Sequence, residues 1–150
     1  MENKPTYELD ELLKSMKPEQ LDEYFRKNTK YLADAEKSFY YYFKDVVDSK
    51  NIQLKDVYLM ANVSESYGSK LVTMEKHTKN RDMIIRLCVA GHFNIDEVNR
   101  ALKLYEMSPL YSKDKRDACI IVAINNRTYD LYKVNDLLES KGLKQLIITE

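Results

Sequence analysis

Apolar residues recur along this chain at helical spacing almost from end to end. Leu9, Leu12, Leu13 and Met16 stand at i, i+3, i+4 and i+7 and predict an amphipathic helix over about 6–16. Lys17-Pro18 breaks it, and Pro18 suits the first turn of the next helix. Leu21, Tyr24, Phe25, Leu32 and Ala35 continue one stripe over about 19–36. Phe39, Tyr42, Phe43, Val46 and Val47 form the following one, ending near Ser49. The run Phe39-Tyr-Tyr-Tyr-Phe43 reads as core plus rim, since tyrosine buries its ring and keeps its hydroxyl wet. A stacking platform for bases is the alternative, but a helix turns such rings in several directions.

Further on, Asn80 suits an N-cap for a helix over 81–90, with Gly91 just past its end. Asn94 and Glu97 have the spacing of a capping box opening a helix over 95–106, which Ser108-Pro109 stops. Ala118 to Ile124 is apolar on every side, and the polar residues ahead of it favour a buried helix over a buried strand. Leu131, Val134, Leu137 and Leu138 mark a last helix, ended by Gly142. The pattern also echoes itself. Phe93, Ile95, Val98-Asn99, Leu102 and Leu110 recur 36 residues later as Tyr129, Leu131, Val134-Asn135, Leu138 and Leu146. Arg81-Asp82 recurs 35 residues later as Arg116-Asp117. Segments 80–110 and 115–146 therefore read as two copies of one helical hairpin, stacked to close the core, with Asn99 and Asn135 capping neighbouring backbone.

Composition agrees with an all-α chain. With 150 residues, 44% of them hydrophobic, it is long enough to bury a core, and 3 Gly with 3 Pro leave little material for a β-sandwich. No apolar run has the length of a membrane span and no signal-peptide segment opens the chain, so a cytoplasmic location is expected. Cys88 and Cys119 fall within apolar patterns and read as buried free thiols. Charges balance at 24 basic against 24 acidic, which does not favour a nucleic-acid partner, but they are unevenly spread. Residues 1–36 carry 6 basic and 9 acidic side chains, and residues 51–92 carry 6 basic and 4 acidic.

The stretch Asn51 to Thr73, NIQLKDVYLMANVSESYGSKLVT, reads as two short helices around a tight turn. Val57 and Ala61 on the first helix, Val63-Ser64 after the turn and Leu71 on the second match the apolar and capping positions of a helix-turn-helix. On these residues the segment resembles the Cro/C1-type (XRE-like) helix-turn-helix family. Asn62 stands where that family has glycine in a left-handed turn, which asparagine tolerates best after glycine. Tyr58 replaces a small residue and Gly68 a large one, a compensated exchange across the helix pair. The family's Glu-x-Gly after the second helix has no counterpart.

The resemblance implies a DNA reader whose second helix, about 64–74, lies in the major groove. Glu65, Ser66, Tyr67, Lys70 and Thr73 would face the groove, with Ser64 capping the helix. Gln53, Ser69, Lys76, Lys79 and Arg81 would hold phosphates. It also implies a homodimer on double-stranded DNA; the lack of a spanning apolar run gives no membrane partner to expect. The expected architecture is an N-terminal helical extension over 1–36, a helix-turn-helix core over 37–92 and C-terminal helices over 93–150. No cofactor, catalytic or metal site is expected. His77 and His92 are 15 residues apart without ligand-spaced companions, and no nucleotide loop or nucleophile elbow occurs, so the chain does not read as an enzyme. The competing reading is a protein-interaction adaptor that keeps the helix-turn-helix as scaffold. Zero net charge, Gly68 inside the second helix and Glu65 on its groove face motivate it.

Overall fold

The helical spacing is realised throughout residues 6–28 and 38–147, the part of the chain that this computed structural model describes. Among these residues there are nine α-helices and one 3-10 turn, with no strand. They are α1 (Thr6–Lys14), the 3-10 turn Pro18–Gln20, α2 (Leu21–Lys27), α3 (Ser38–Ser49), α4 (Leu54–Met60) and α5 (Glu65–Val72). Then follow α6 (Arg81–Ala90), α7 (Ile95–Leu104), α8 (Lys115–Asn125) and α9 (Leu131–Ser140). None of the described helices is long and apolar enough to cross a membrane. The stripe expected over 19–36 is carried by α2 only as far as Lys27, and Leu32 and Ala35 lie outside the described residues.

Most of these helices end the same way. Asn51, Asn62, Met74, His92, Glu106 and Arg127 all take positive φ, near +60°, and Gly142 takes +70°. The residue after several of them returns its amide to the last full turn. Ile52 N donates to Val47 O at 3.0 Å, Val63 N to Tyr58 O at 3.0 Å, Phe93 N to Cys88 O at 3.0 Å and Met107 N to Leu102 O at 2.8 Å. This is the Schellman arrangement, in which the left-handed residue closes the helix and the next apolar residue folds back onto the core. Helix starts follow the capping chemistry of the sequence. Asn94 Oδ1 accepts from Glu97 N at 2.8 Å while Glu97 Oε1 accepts from Asn94 N at 2.9 Å, a complete capping box. Asp114 and Asp130 cap α8 and α9. Asn80 occupies the N-cap of α6, but its side chain makes no capping bond; its amide donates to Thr78 Oγ1 instead.

Helix α6 is the axis of the core, with every residue from Met83 to Ala90 buried. It packs on α4, α7 and α9, while α3 packs on α5 and α7, and α8 on α7 and α9. From the aromatic run, Phe39, Tyr42 and Phe43 enter the core and Tyr40 and Tyr41 stay half-buried at the rim. Gly91 is there for close approach, since its φ is negative and a Cβ would lie 2.8 Å from the Phe93 ring. Two expectations need correction. Helix α8 is not buried all round: Val122 is 54% exposed, because only one side of α8 faces α7 and α9. Cys119, on the same helix, is half-buried, whereas Cys88 is fully buried.

The two echoing segments make matching contacts. Asn99 Oδ1 accepts from Leu110 N at 2.9 Å, and Asn135 Oδ1 accepts from Leu146 N at 2.7 Å. Arg81 forks onto Asp117 at 2.9 and 2.8 Å, and Arg116 forks onto Asp82 at 2.8 and 2.7 Å. Each arginine also donates to carbonyls of its own segment's final loop, Arg81 to Ser108 and Pro109, and Arg116 to Lys144 and Gln145. Residue i of one segment thus meets j of the other while j meets i, the reciprocity of a local two-fold contact.

Candidate nucleic-acid interface

The geometry around α4 and α5 starts from two backbone facts. Asn62 sits at φ +59°, reversing the chain within two residues of the end of α4. Ser64, extended at ψ 148°, caps α5 by accepting from Tyr67 N at 3.2 Å. The helices between which this turn runs are joined by an exchange of volumes. A Cβ on Gly68 would lie 2.5 Å from Tyr58 Cδ1, so the Tyr58 ring occupies the space a side chain would fill. Burial raises the Tyr58 hydroxyl to about 12, helped by the charges of Tyr40 and Glu65 and opposed by its hydrogen bond with the Ser69 side chain. Val57, Ala61, Val63, Leu71 and Val72 close the contact to the core, all buried.

Two buried polar side chains that the apolar pattern does not reveal hold this pair in place. Arg86 of α6 is fully buried, and its Nη2 donates to the carbonyls of Ala61 and Asn62. A cation there meets the negative end of the α4 dipole and ties the turn to the central helix. Tyr105, after α7, is 1% exposed, and its hydroxyl reaches Leu71 O at 3.0 Å and Lys76 O at 3.3 Å. It anchors the end of α5 and the loop that follows. His77 covers the same ring, with centroids 4.6 Å apart. The available sequence signal was slight: Arg86 interrupts an apolar run of helical spacing, and Tyr105 continues the stripe of α7.

The residues expected to meet DNA separate into groups. Glu65 and Ser66 are exposed in the first turn of α5, and Lys70, half-buried, follows Ser66 on the same face at i+4. Gln53 is exposed at the start of α4 with no capping bond of its side chain, and Lys76 and Lys79 are exposed in the loop after α5. Tyr67 is half-buried against the core, with Lys76 Nζ 5.9 Å from its ring centroid, so its ring is partly committed to packing. Ser69 is half-buried, and Thr73 Oγ1 donates to Ser69 O at 2.8 Å, so the Thr73 hydroxyl has a partner within the helix. Ser64 is engaged as the cap. Arg81 is engaged elsewhere: its guanidinium donates to Asp117, Ser108 O and Pro109 O, a clamp between α6 and α8.

What remains is a short polar ridge on α5, Glu65, Ser66 and Lys70, with Gln53, Lys76 and Lys79 exposed in the neighbouring segments of the chain. Its chemistry is hydrogen bonding and salt-sensitive charge. Among the described residues no group of three or more His, Cys, Asp or Glu is placed to hold a metal ion. Cys88 is buried, and burial pushes its thiol well above the ordinary range, away from nucleophilic use. Compared with family models, curated proteins and solved structures, the chain finds no match in any of the three.

Proposed function

We propose that the protein is a DNA-binding regulator that lays α5 in the major groove. The observation carrying this reading is the α4–turn–α5 geometry itself. A left-handed Asn62, a Ser64 cap and a packed Tyr58–Gly68 contact present the N-terminal turn of α5 outward as polar side chains. That is the presentation a groove-reading helix needs. Ser66 and Lys70 would meet base edges, and Gln53, Lys76 and Lys79 the phosphates on either side. Glu65 is compatible only with a cytosine amino group and would otherwise repel the backbone.

The test is fluorescence anisotropy of the full chain against labelled duplexes at several salt concentrations, with Lys70→Glu beside it. Saturable binding is expected, weakening steeply as salt rises and lost in the variant, because each neutralised phosphate releases counterions. Absence of binding at low salt would sink the reading. A second reading then takes over, an adaptor that docks a protein on the same helix pair. The observation favouring it is the exposure of Leu59 at 73% and Met60 at 55%, two large apolar residues at the end of α4 beside the turn.

A further inference from the structure

The N-terminal arm has an apolar stripe of which four large residues, Leu12, Leu13, Leu21 and Phe25, remain exposed. Leu9 and Met16 are only half-buried, while Leu12 and Leu13 are 44% and 40% exposed. In α2, Leu21 and Phe25 are 37% and 47% exposed, while Tyr24 between them is buried. The principal helix packing of the core runs among α3 to α9 and includes neither α1 nor α2. Helices of nine and seven residues are too short to persist in water on propensity alone. They need an apolar partner.

The charges say which one. Each segment runs from acid to base: Glu8, Asp10 and Glu11 precede Lys14 and Lys17, and Glu19, Asp22 and Glu23 precede Arg26 and Lys27. A helix ordered this way is complementary to an antiparallel copy of itself, acidic half against basic half, with opposed helix dipoles. The existing pairs, Lys14–Glu11 at 2.8 Å and Lys27–Glu23 at 2.9 Å, are solvent-exposed and local, so exchanging them for intermolecular ones costs little. We infer that the arm formed by α1 and α2 is a self-association face, pairing antiparallel with the arm of a second copy of this chain and burying Leu12, Leu13 and Leu21 between them. This assigns the face of a homodimer and stands whether or not α5 binds DNA. Two paired arms bring four short helices together, a common way for amphipathic helices to bury their stripes.

Sedimentation analysis of the full chain over a range of concentrations tests it without DNA. The native chain is expected to dimerise reversibly. Leu12→Asp/Leu13→Asp is expected to weaken the dimer by at least about tenfold while circular dichroism still reports a folded core. Two charge variants then decide the occupant. Glu8→Lys/Asp10→Lys/Glu11→Lys and Lys14→Glu/Lys17→Glu should each be monomeric alone and should associate when mixed. A native chain that stays monomeric at every concentration overturns the inference. So does a dimer that survives the Leu12→Asp/Leu13→Asp change, or a pair of charge variants that fails to associate on mixing.

Discussion

At the scale of the residue, the contact between Tyr58 and Gly68 decides how α4 meets α5. Glycine inside a helix costs about 1 kcal/mol in propensity. The Tyr58 ring, lying where a Gly68 Cβ would go, is the compensation. Gly68→Ala is therefore expected to destabilise the protein by about 1–3 kcal/mol through overpacking, despite alanine's better helix propensity. With Tyr58→Ala already present, the same Gly68→Ala change should be neutral or stabilising. Urea denaturation of the four chains of this double-mutant cycle measures the coupling, and additive effects would show that the ring and the glycine are not matched. The exchange was legible in the sequence through the helix-turn-helix resemblance, which sets the two positions opposite each other across the helix pair. Arg86 was not, because a long polar side chain in an apolar run can snorkel outward as readily as reach inward. Only the position of the α4 carbonyls decides which.

At the scale of the element, the helix ends carry an unused reserve of stability. The chain has 3 glycines, and among the described residues six others take positive φ, where only glycine is free of strain. Glu106 is exposed, and its side chain is not needed to close α7, since the closing bond runs from Met107 N to Leu102 O. Glu106→Gly is expected to stabilise the protein by about 0.5–1 kcal/mol, the relief of left-handed strain exceeding the added freedom of the unfolded chain. A raised urea midpoint at unchanged slope would bear this out; a lowered midpoint would refute it. Helix identity and caps were readable in advance because they rest on local spacing and on side chains within three residues of one another. How far α8 is buried was not readable, since its apolar residues cover all sides and only α7 and α9 choose which side is covered.

For the whole molecule, the reciprocal clamp of Arg81 with Asp117 and Arg116 with Asp82 joins the start of α6 to the start of α8. Burial raises the Asp117 carboxyl, but the Arg81 hydrogen bonds, the Tyr111 amide and the charges of Arg81 and Arg116 outweigh it and hold the group below its ordinary 3.8. A carboxylate depressed in the folded state contributes stability that is full above its unfolded value. That contribution is lost as pH falls from near 3.8 through the lower folded value. Asp117→Asn is expected to cost about 3 kcal/mol at neutral pH, the low end for breaking a buried pair, because Arg81 keeps some solvent contact. The variant should also lose part of the acid-induced fall in stability. Denaturant unfolding of both chains between neutral pH and pH 3 checks it, and parallel curves would show that Asp117 is not the titrating group. Arg81 itself shows the difference of scale. Its neighbours in sequence, Lys76 and Lys79, suggest a phosphate contact, and its partner 36 residues away takes it for the clamp instead.

The sequence by itself determined the all-helical class, the position of nearly every described helix, the caps at Ser64 and Asn94 and the turn at Asn62. Each depends on spacing and on short-range hydrogen bonds, which are written in consecutive residues. Tertiary structure alone decided that Arg86 braces the turn, that Tyr105 anchors the loop after α5, that Arg81 belongs to a clamp and that Leu12, Leu13, Leu21 and Phe25 stay exposed. Those outcomes depend on which distant surface arrives beside a side chain. A hydrophobic period specifies that a face will be covered, but not by what.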